Sequence, residues 1–404
     1  MKCYLVGGAV RDKLLDLPVQ ERDWLVTGTS SDDLIKKGYR QVGREFPIFL
    51  HPETSEEHAL PRGDTNSDDE HEQVIADLLC RDLTINAMAL DQQDNLIDPL
   101  GGENDIQART LRHTPAFSDD PIRVLRLARF AARLHEFGFR VADETRELVQ
   151  QMCREGELKS LVPERTWAEI ERALTGEYPW IFFETLRECG ALHAVLPELH
   201  RLYGVPQPER HHPEVDTGLH TMMVLQQACR LSAEPQTRFA AVMHDLGKGT
   251  TPPDLWPRHI GHEKRSVWMV TDLCARLKAP NSFRDLAVMV AGYHTHIHKA
   301  LELKPSTLLR TLKALDALRR PERFEQFLLA CEADARGRAG LKKQPYPQAD
   351  LVRYIHREVA ELDLSGLYVE KENGADLPLL IDQERTCAIA NAKKTWLANY
   401  NDTL

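Results

Sequence analysis

Tyr4-Leu5-Val6-Gly7-Gly8-Ala9-Val10-Arg11-Asp12, followed by Glu21-Arg22-Asp23-Trp24-Leu25-Val26, is the stretch on which the reading of the chain turns. An apolar run enters a Gly-Gly turn and then a helical segment. A second short strand carries two carboxylates one residue apart. Glycines let backbone N–H groups approach a triphosphate, and a helix N-terminus favours its negative charge. Residues i and i+2 of a strand share a face, so Glu21 and Asp23 can hold divalent metal together. A phosphate cradle beside a metal-binding carboxylate pair is what transfer of a nucleotidyl group requires.

The rest of the chain supplies the context. Its 404 residues allow about two to four domains with ample core. Charged residues at 28% and hydrophobic residues at 42% are ordinary for a globular protein. No apolar run approaches the roughly 20 residues that span a bilayer, so no membrane partner is expected. Met1-Lys2-Cys3-Tyr4-Leu5 leads into a strand and not into a signal peptide. The eight cysteines are scattered without a C-x-x-C pair, which predicts a reducing, cytoplasmic setting without disulfides or structural zinc. A net charge of −11 argues against nonspecific nucleic-acid binding but leaves room for a local basic groove.

Short β-rich runs at 24–27, 47–50, 87–90 and 96–98 alternate with helical stretches, predicting an α/β head over residues 1–115. Helical periodicity dominates from Asp119, with Ser118-Asp119-Asp120-Pro121 as a helix start. A helical neck and body is expected over 116–205 and a second helical domain over 206–340, followed by a tail over 341–404. Tyr203-Gly204-Val205-Pro206-Gln207-Pro208 is the expected linker, and Glu372-Asn373-Gly374 an expected turn in the tail.

Two further segments complete the first site. Arg81-Asp82-Leu83-Thr84-Ile85-Asn86-Ala87 places a cation, a carboxylate and an amide before a buried strand. Asp119-Asp120-Pro121-Ile122-Arg123-Val124-Leu125-Arg126-Leu127-Ala128-Arg129-Phe130 opens the helical part. Asp120 and Arg123 are neighbours on one helix face. Cytosine and adenine each show an amino donor beside a ring-nitrogen acceptor, so a carboxylate and a guanidinium can read them together. Guanine and uracil reverse that polarity. Arg126 and Arg129 continue the face where phosphates could sit.

A second constellation lies downstream. His220 begins a helix, His244-Asp245 ends another, and Asp334 lies in Glu332-Ala333-Asp334-Ala335-Arg336-Gly337-Arg338. These four residues form an N/O set suited to a transition metal or Mg²⁺ holding a reactive water. His262 and His294 are candidates for a second metal or substrate phosphate, with a structural role left equally open.

L-V-G-G-A-V-R-D, R-D-L-T-I-N-A and D-D-P-I-R-V-L-R-L-A-R-F resemble the class II tRNA nucleotidyltransferases, the bacterial CCA-adding enzymes of the polymerase-β superfamily. The His … His-Asp … Asp pattern resembles an HD phosphohydrolase domain, as in the multifunctional members. The resemblance implies an α+β fold: a polymerase-β-like nucleotidyltransferase head with a small mixed sheet, then an all-α neck and body and an all-α HD domain. It implies CCA addition to the tRNA 3′ end from CTP and ATP, with phosphatase, 2′-nucleotidase and 2′,3′-cyclic phosphodiesterase activity. Glu21 and Asp23 would be catalytic and bind Mg²⁺. Gly8, Arg11, Arg81, Arg126 and Arg129 would bind nucleotide, with Asp120 and Arg123 reading the base and Glu57 as a further carboxylate. His220, His244, Asp245 and Asp334 would hold a divalent transition metal, Ni²⁺ being one candidate, with His244 and Asp245 catalytic.

Three features depart from that pattern. Glu21 stands where the family has Asp, and Cys80 where it has Arg. Between Gly63 and Cys80 the chain carries no Lys or Arg, and its first ten residues hold five acids. Relatives usually have a longer, partly basic loop there. These departures keep open a CC-adding enzyme and an HD phosphohydrolase with a degenerate, tRNA-binding head. A poly(A) polymerase shares the head motifs but is disfavoured by the HD segment. The sequence leaves monomer and homodimer equally possible.

Overall fold

The computed structural model describes residues 1–42, 48–62, 69–210, 212–367 and 376–401. Two compact units emerge. One comprises Met1–Glu169 with Ile181–Val195, the other Ile170–Trp180 with Leu196–Leu404. The Tyr203–Pro208 stretch, expected as a linker, lies inside the second unit. There the Gln207 amide donates to the Val215 carbonyl at 2.7 Å and both Val205 and Gln207 are buried. Apolar anchoring, which Pro and Gly content does not reveal, makes it a packed turn.

The head is a mixed seven-stranded sheet in the order β3-β4-β5-β2-β1-β6-β7. Its strands are β1 (Lys2–Val6), β2 (Asp23–Thr27), β3 (Arg40–Val42), β4 (Ile48–Leu50), β5 (Glu57–Ala59), β6 (Ala89–Leu90) and β7 (Leu96–Ile97). Only β2 and β5 run parallel; the other neighbours are antiparallel. Tyr4, Val6 and Leu25 project from β1 and β2 onto Val74 and Leu78 of the helix Glu70–Leu79 and bury a common core. That packing fixes the rim of the sheet where β1 ends and β2 begins.

β3 and β5 were not expected, since Arg-Gln-Val and Glu-His-Ala carry no apolar run of the kind that marked the similarly short β4 and β7. Glu21 precedes β2 and does not belong to it, so only Asp23, the strand's first residue, is held by the sheet. Two further short strands, β8 (Thr110–Leu111) at the end of the head and β9 (Arg140–Val141) in the neck and body, pair in parallel.

The second unit is helical. Val224, Ala228, Ala241 and Ala333 form a buried cluster between the helices Thr217–Leu231, Pro235–Met243 and Pro321–Arg336. Small side chains at this crossing let the backbones carrying His220, His244 and Asp334 approach closely. The tail contributes the helices Pro347–Ala360 and Leu377–Asn401. No helix of the described residues is long and apolar enough to cross a membrane. The Gly63–Asp68 part of the acidic segment and the turn at Glu372-Asn373-Gly374 lie outside the described residues.

Candidate functional site

In the first unit a cavity of about 450 Å³ is lined by Gly7, Gly8, Glu21, Asp23 and the arginines of the neck helix Ile122–Arg133. The first helix, Gly8–Leu14, starts directly after Gly7. Gly7 has φ +71°, a backbone conformation that favours glycine, and a Cβ there would lie 2.6 Å from Arg81 Nη1 and push that guanidinium aside. Its amide donates to the Met88 carbonyl at 3.1 Å. Of the two glycines, therefore, only Gly8 offers its N–H to a ligand; Gly7 shapes the turn.

Three carboxylates meet at the rim. The parallel register of β2 and β5 sets Asp23 opposite Glu57, and Glu21 lines the same cavity as Asp23. Burial pushes the Asp23 carboxyl up; Arg81 pulls it back, Glu21 pushes it further up, and Arg62 opposes. Glu57 is also raised, by burial and then by Asp23 and Glu21. Asp23 and Glu57, kept from ionising by burial first and by neighbouring carboxylates second, suit a hard divalent cation, which takes carboxylate ligands and relieves their repulsion. The residues present fit Mg²⁺.

Behind them runs a buried chain of hydrogen bonds. Arg11, 1% exposed, donates from Nη1 to Asn86 Oδ1 at 2.7 Å and from Nη2 to Asp12 Oδ1 at 2.7 Å. Asn86 Nδ2 donates to Asp82 Oδ1 at 3.1 Å, and Arg126 Nε donates to Asp82 Oδ2 at 2.7 Å. Burial would raise the Asp82 carboxyl, but Arg126 and Asn86 outweigh it and hold it below the usual range. Arg81 bonds Asp77 at 2.9 Å and Arg129 bonds Glu169 at 2.6 Å. Arg11, Arg126 and Arg129 all stand over the Phe130 ring, at 4.6–5.6 Å from its centroid. Arg11 and the neck arginines are thus held in place by their neighbours with further N–H groups left over, and all of them line the cavity.

Asp120 and Arg123 both line the cavity; the Arg123 amide donates to the Asp120 carbonyl at 3.0 Å, but their side chains bond other partners. Arg123 Nη2 donates to the Cys80 carbonyl at 2.7 Å, and Nη1 donates to the carbonyls of Arg81 and Ala116. Asp120 instead pairs with Arg165 Nη2 at 2.7 Å and accepts the Ile122 amide at 3.2 Å, with Pro121 at the helix N-cap. Arg165 escaped the sequence reading because a partner 45 positions away leaves no local signal.

The second unit gathers His220, His244, Asp245 and Asp334, all almost wholly buried. His244 Nδ1 donates to the Ala241 carbonyl at 2.7 Å, which leaves the lone pair on Nε2. That Nε2 lies 3.0 Å from Asp245 Oδ2 and 3.8 Å from Asp334 Oδ1, and it is buried without a hydrogen bond. His262 and His294 repeat the arrangement. Their Nδ1 atoms donate to the carbonyls of His259 and Val290, each at 2.9 Å. Their Nε2 atoms face Asp245 Oδ1 at 3.2 and 3.6 Å. Lone pairs converging on carboxylate oxygens repel unless a cation lies among them. This donor set fits a divalent metal, and it draws His262 and His294 to the centre.

Two neighbours were missed by sequence reasoning. Glu214 Oε1 stands 2.9 Å from His220 Nδ1 and 3.1 Å from His212 Nδ1, orienting the first ligand ring. His298 Nε2 donates to Asp334 Oδ2 at 2.6 Å, while its Nδ1 accepts from the Tyr346 hydroxyl at 2.7 Å. Burial drives His294 down to about 3 and His212 to about 4. For His244 burial is outweighed by Asp245 and Asp334, which raise it. Both aspartates are held well below the usual range, against burial, by the surrounding cations and imidazoles.

Comparison with known proteins follows this division. Residues 3–112 match the poly A polymerase head domain, 138–203 the probable RNA- and SrmB-binding site of polymerase A, and 217–320 the HD domain. A multifunctional CCA protein of Thioalkalivibrio sulfidiphilus is 55% identical over 98% of this chain and 100% of its own. One from Vibrio cholerae is 48% identical over 96% of this chain and 99% of its own. The fold is shared with the Bacillus stearothermophilus CCA-adding enzyme in complex with CTP (TM-score 0.66, 21% identity, 99% of this chain and 93% of that one). It is shared equally with the Thermotoga maritima CCA-adding enzyme complexed with tRNA (TM-score 0.65, 19% identity, 99% and 91%).

Proposed function

Because the chain belongs to the multifunctional CCA protein family, we propose that its first cavity adds the 3′-terminal CCA of tRNA from CTP and ATP, and that its second centre is a metal-dependent phosphohydrolase. The observation that carries the first half is that Glu21 and Asp23 line one cavity with the arginines of the neck helix, with Glu57 set opposite Asp23 by the strand register. Mg²⁺ held by Glu21 and Asp23 would activate the tRNA 3′-hydroxyl and neutralise the pyrophosphate leaving group.

The chain's own groups do the rest. The Gly8 N–H and Arg81, Arg126 and Arg129 receive the triphosphate, each arginine prepositioned by a carboxylate. Phe130 offers a ring beneath those cations. Asp120 accepts from the exocyclic amino group of cytosine or adenine, while a guanidinium donates to the ring nitrogen. Arg123 supplies that guanidinium after leaving its backbone carbonyls. A wrong base leaves these groups unpaired.

At the second centre His220, His244, Asp245 and Asp334 hold a divalent transition metal such as Ni²⁺. His262 and His294 face the same aspartate and complete the donor set. The chemistry expected there is attack of water on a phosphate ester: phosphatase, 2′-nucleotidase and 2′,3′-cyclic phosphodiesterase. The cytoplasm, where tRNA is matured, is its natural setting.

Incubation with tRNA lacking its last three nucleotides and each labelled nucleotide tests the transferase. CMP incorporation followed by AMP is expected. CMP without AMP would assign the CC-adding alternative, which the acidic, Lys- and Arg-free segment after Gly63 favours. No CMP incorporation would refute nucleotide addition.

A further inference from the structure

A pocket of about 390 Å³ opens beside the histidine–aspartate centre and is lined by His298, Arg336, Arg338, Gln344, Tyr346 and Gln348, among others. Its volume falls in the roughly 300–1,000 Å³ span of small-molecule sites. His298 belongs to both places: its Nε2 bonds the metal-site Asp334 and its Nδ1 takes the Tyr346 hydroxyl. A molecule in this pocket therefore lies one side chain away from the metal ligands.

The two arginines differ in what holds them. Arg336 Nη2 pairs with Glu332 at 2.8 Å and its Nε donates to the Gln344 carbonyl at 3.2 Å. Arg338 has no ion pair among the described residues, and its Nε is buried without a hydrogen-bond partner. Gln348 Oε1, in the same wall, is likewise buried and unpartnered. Buried donors and acceptors are normally satisfied, and those that are not call for a partner the protein itself does not supply. Arg338 also sits close enough to His212 and Tyr346 to act on both electrostatically, although burial is the larger influence on each. Its position is fixed by Gly337, where a Cβ would fall 2.6 Å from Val224 Cγ2 and 2.7 Å from its Cα. The turn leaving Asp334 is thus pressed onto the helix that carries His220, and Arg338 is delivered beside the centre.

A cation repels a second metal, and a planar guanidinium favours a tetrahedral oxyanion that can accept two N–H bonds. We propose that Arg338 is the phosphate-binding cation of the second centre, holding the phosphoryl group of a nucleotide ribose-phosphate ester against the metal ligands. This rests on the phosphohydrolase reading of that centre. Gln348 and Tyr346 give the pocket polar edges for the ribose.

The test uses the full-length, metal-loaded protein and two measurements: calorimetric titration with inorganic phosphate, and KM and kcat for hydrolysis of 2′-AMP. Phosphate binding elsewhere on the chain, including the arginine-rich cavity of the head, is common to wild type and variants, so the difference isolates Arg338. Arg338→Gln is expected to weaken phosphate binding and to raise KM by about 10–100-fold, the worth of a charged hydrogen-bonded contact. Arg338→Lys should recover part of the loss, because it keeps the charge but not the fork. Arg336→Gln, which removes equal charge already neutralised by Glu332, should change either constant by less than about threefold. Metal content and CMP incorporation should stay at wild-type levels in all three. Phosphate binding and KM unchanged in Arg338→Gln, or a loss in Arg336→Gln as large as that in Arg338→Gln, would overturn the assignment while leaving the hydrolase intact. A loaded wild-type protein that neither binds phosphate nor hydrolyses the ester would bring down the hydrolase reading and this proposal together.

Discussion

Gly7 carries the architecture of the transferase cavity in a single residue. With φ at +71° and Arg81 Nη1 in the space of a Cβ, Gly7→Ala must strain the backbone and displace the guanidinium together. We expect a loss of about 1–3 kcal/mol in thermal unfolding. Nucleotide addition should fall with it, since Arg81 would move off Asp77. A variant with wild-type melting and wild-type addition would show that the turn tolerates a side chain. Gly8 differs: a Cβ there meets Arg11 Nη2 at 3.4 Å and φ is not positive, so its importance lies in the N–H it presents. The sequence displayed both glycines without ranking them, because the ranking comes from Arg81, which lies far along the chain.

Among elements, the pairing of β2 with β5 is what turns two carboxylates into three. Glu57→Gln should leave the fold intact, since its side chain is exposed, and raise the Mg²⁺ concentration for half-maximal addition about tenfold. Unchanged Mg²⁺ dependence would remove Glu57 from the site. That strand was invisible beforehand, since Glu57-His58-Ala59 has no apolar run, whereas β1 with its glycine turn and the long neck helix were plain. The same contrast runs through the sites. Motif residues such as Asp23, Arg126, His244 and Asp245 were legible because their spacing is local. Arg165, Glu214 and His298 were not, since each acts through a contact made only by folding. The neck helix lines the cavity with the arginines its motif displayed, yet the Arg123 side chain bonds carbonyls of the Cys80-Arg81 turn and not the Asp120 carboxylate, a choice set by tertiary packing.

For the molecule as a whole, the second unit's buried imidazoles set an acid limit. His294 and His212 are pushed down to about 3 and 4, so an unfolded chain binds protons there sooner than the folded one. Folding stability from these two groups is therefore present above about pH 6.5 and falls as pH drops towards 3–4. The depressed Asp245 and Asp334 extend the loss below the ordinary carboxylate range, whereas the raised His244 works the opposite way. The metal-free protein should accordingly lose a few kcal/mol between pH 6.5 and 4 in denaturant titrations. Added divalent metal should restore stability near neutrality, because it binds the deprotonated ligands. Stability constant across that range would show that these histidines take up protons in the fold as readily as in the unfolded chain.

The transferase and hydrolase ligand sets are held by different units and share no residue. The central claim is that each centre works through its own carboxylate, and paired assays of Asp23→Ala and Asp245→Ala examine it most directly. Asp23→Ala should lower CMP incorporation into truncated tRNA by at least about 100-fold while 2′-AMP hydrolysis stays at the wild-type rate. Asp245→Ala should do the reverse. If either folded variant lost both activities, or Asp23→Ala kept full incorporation, the assignment of two separate centres would be contradicted.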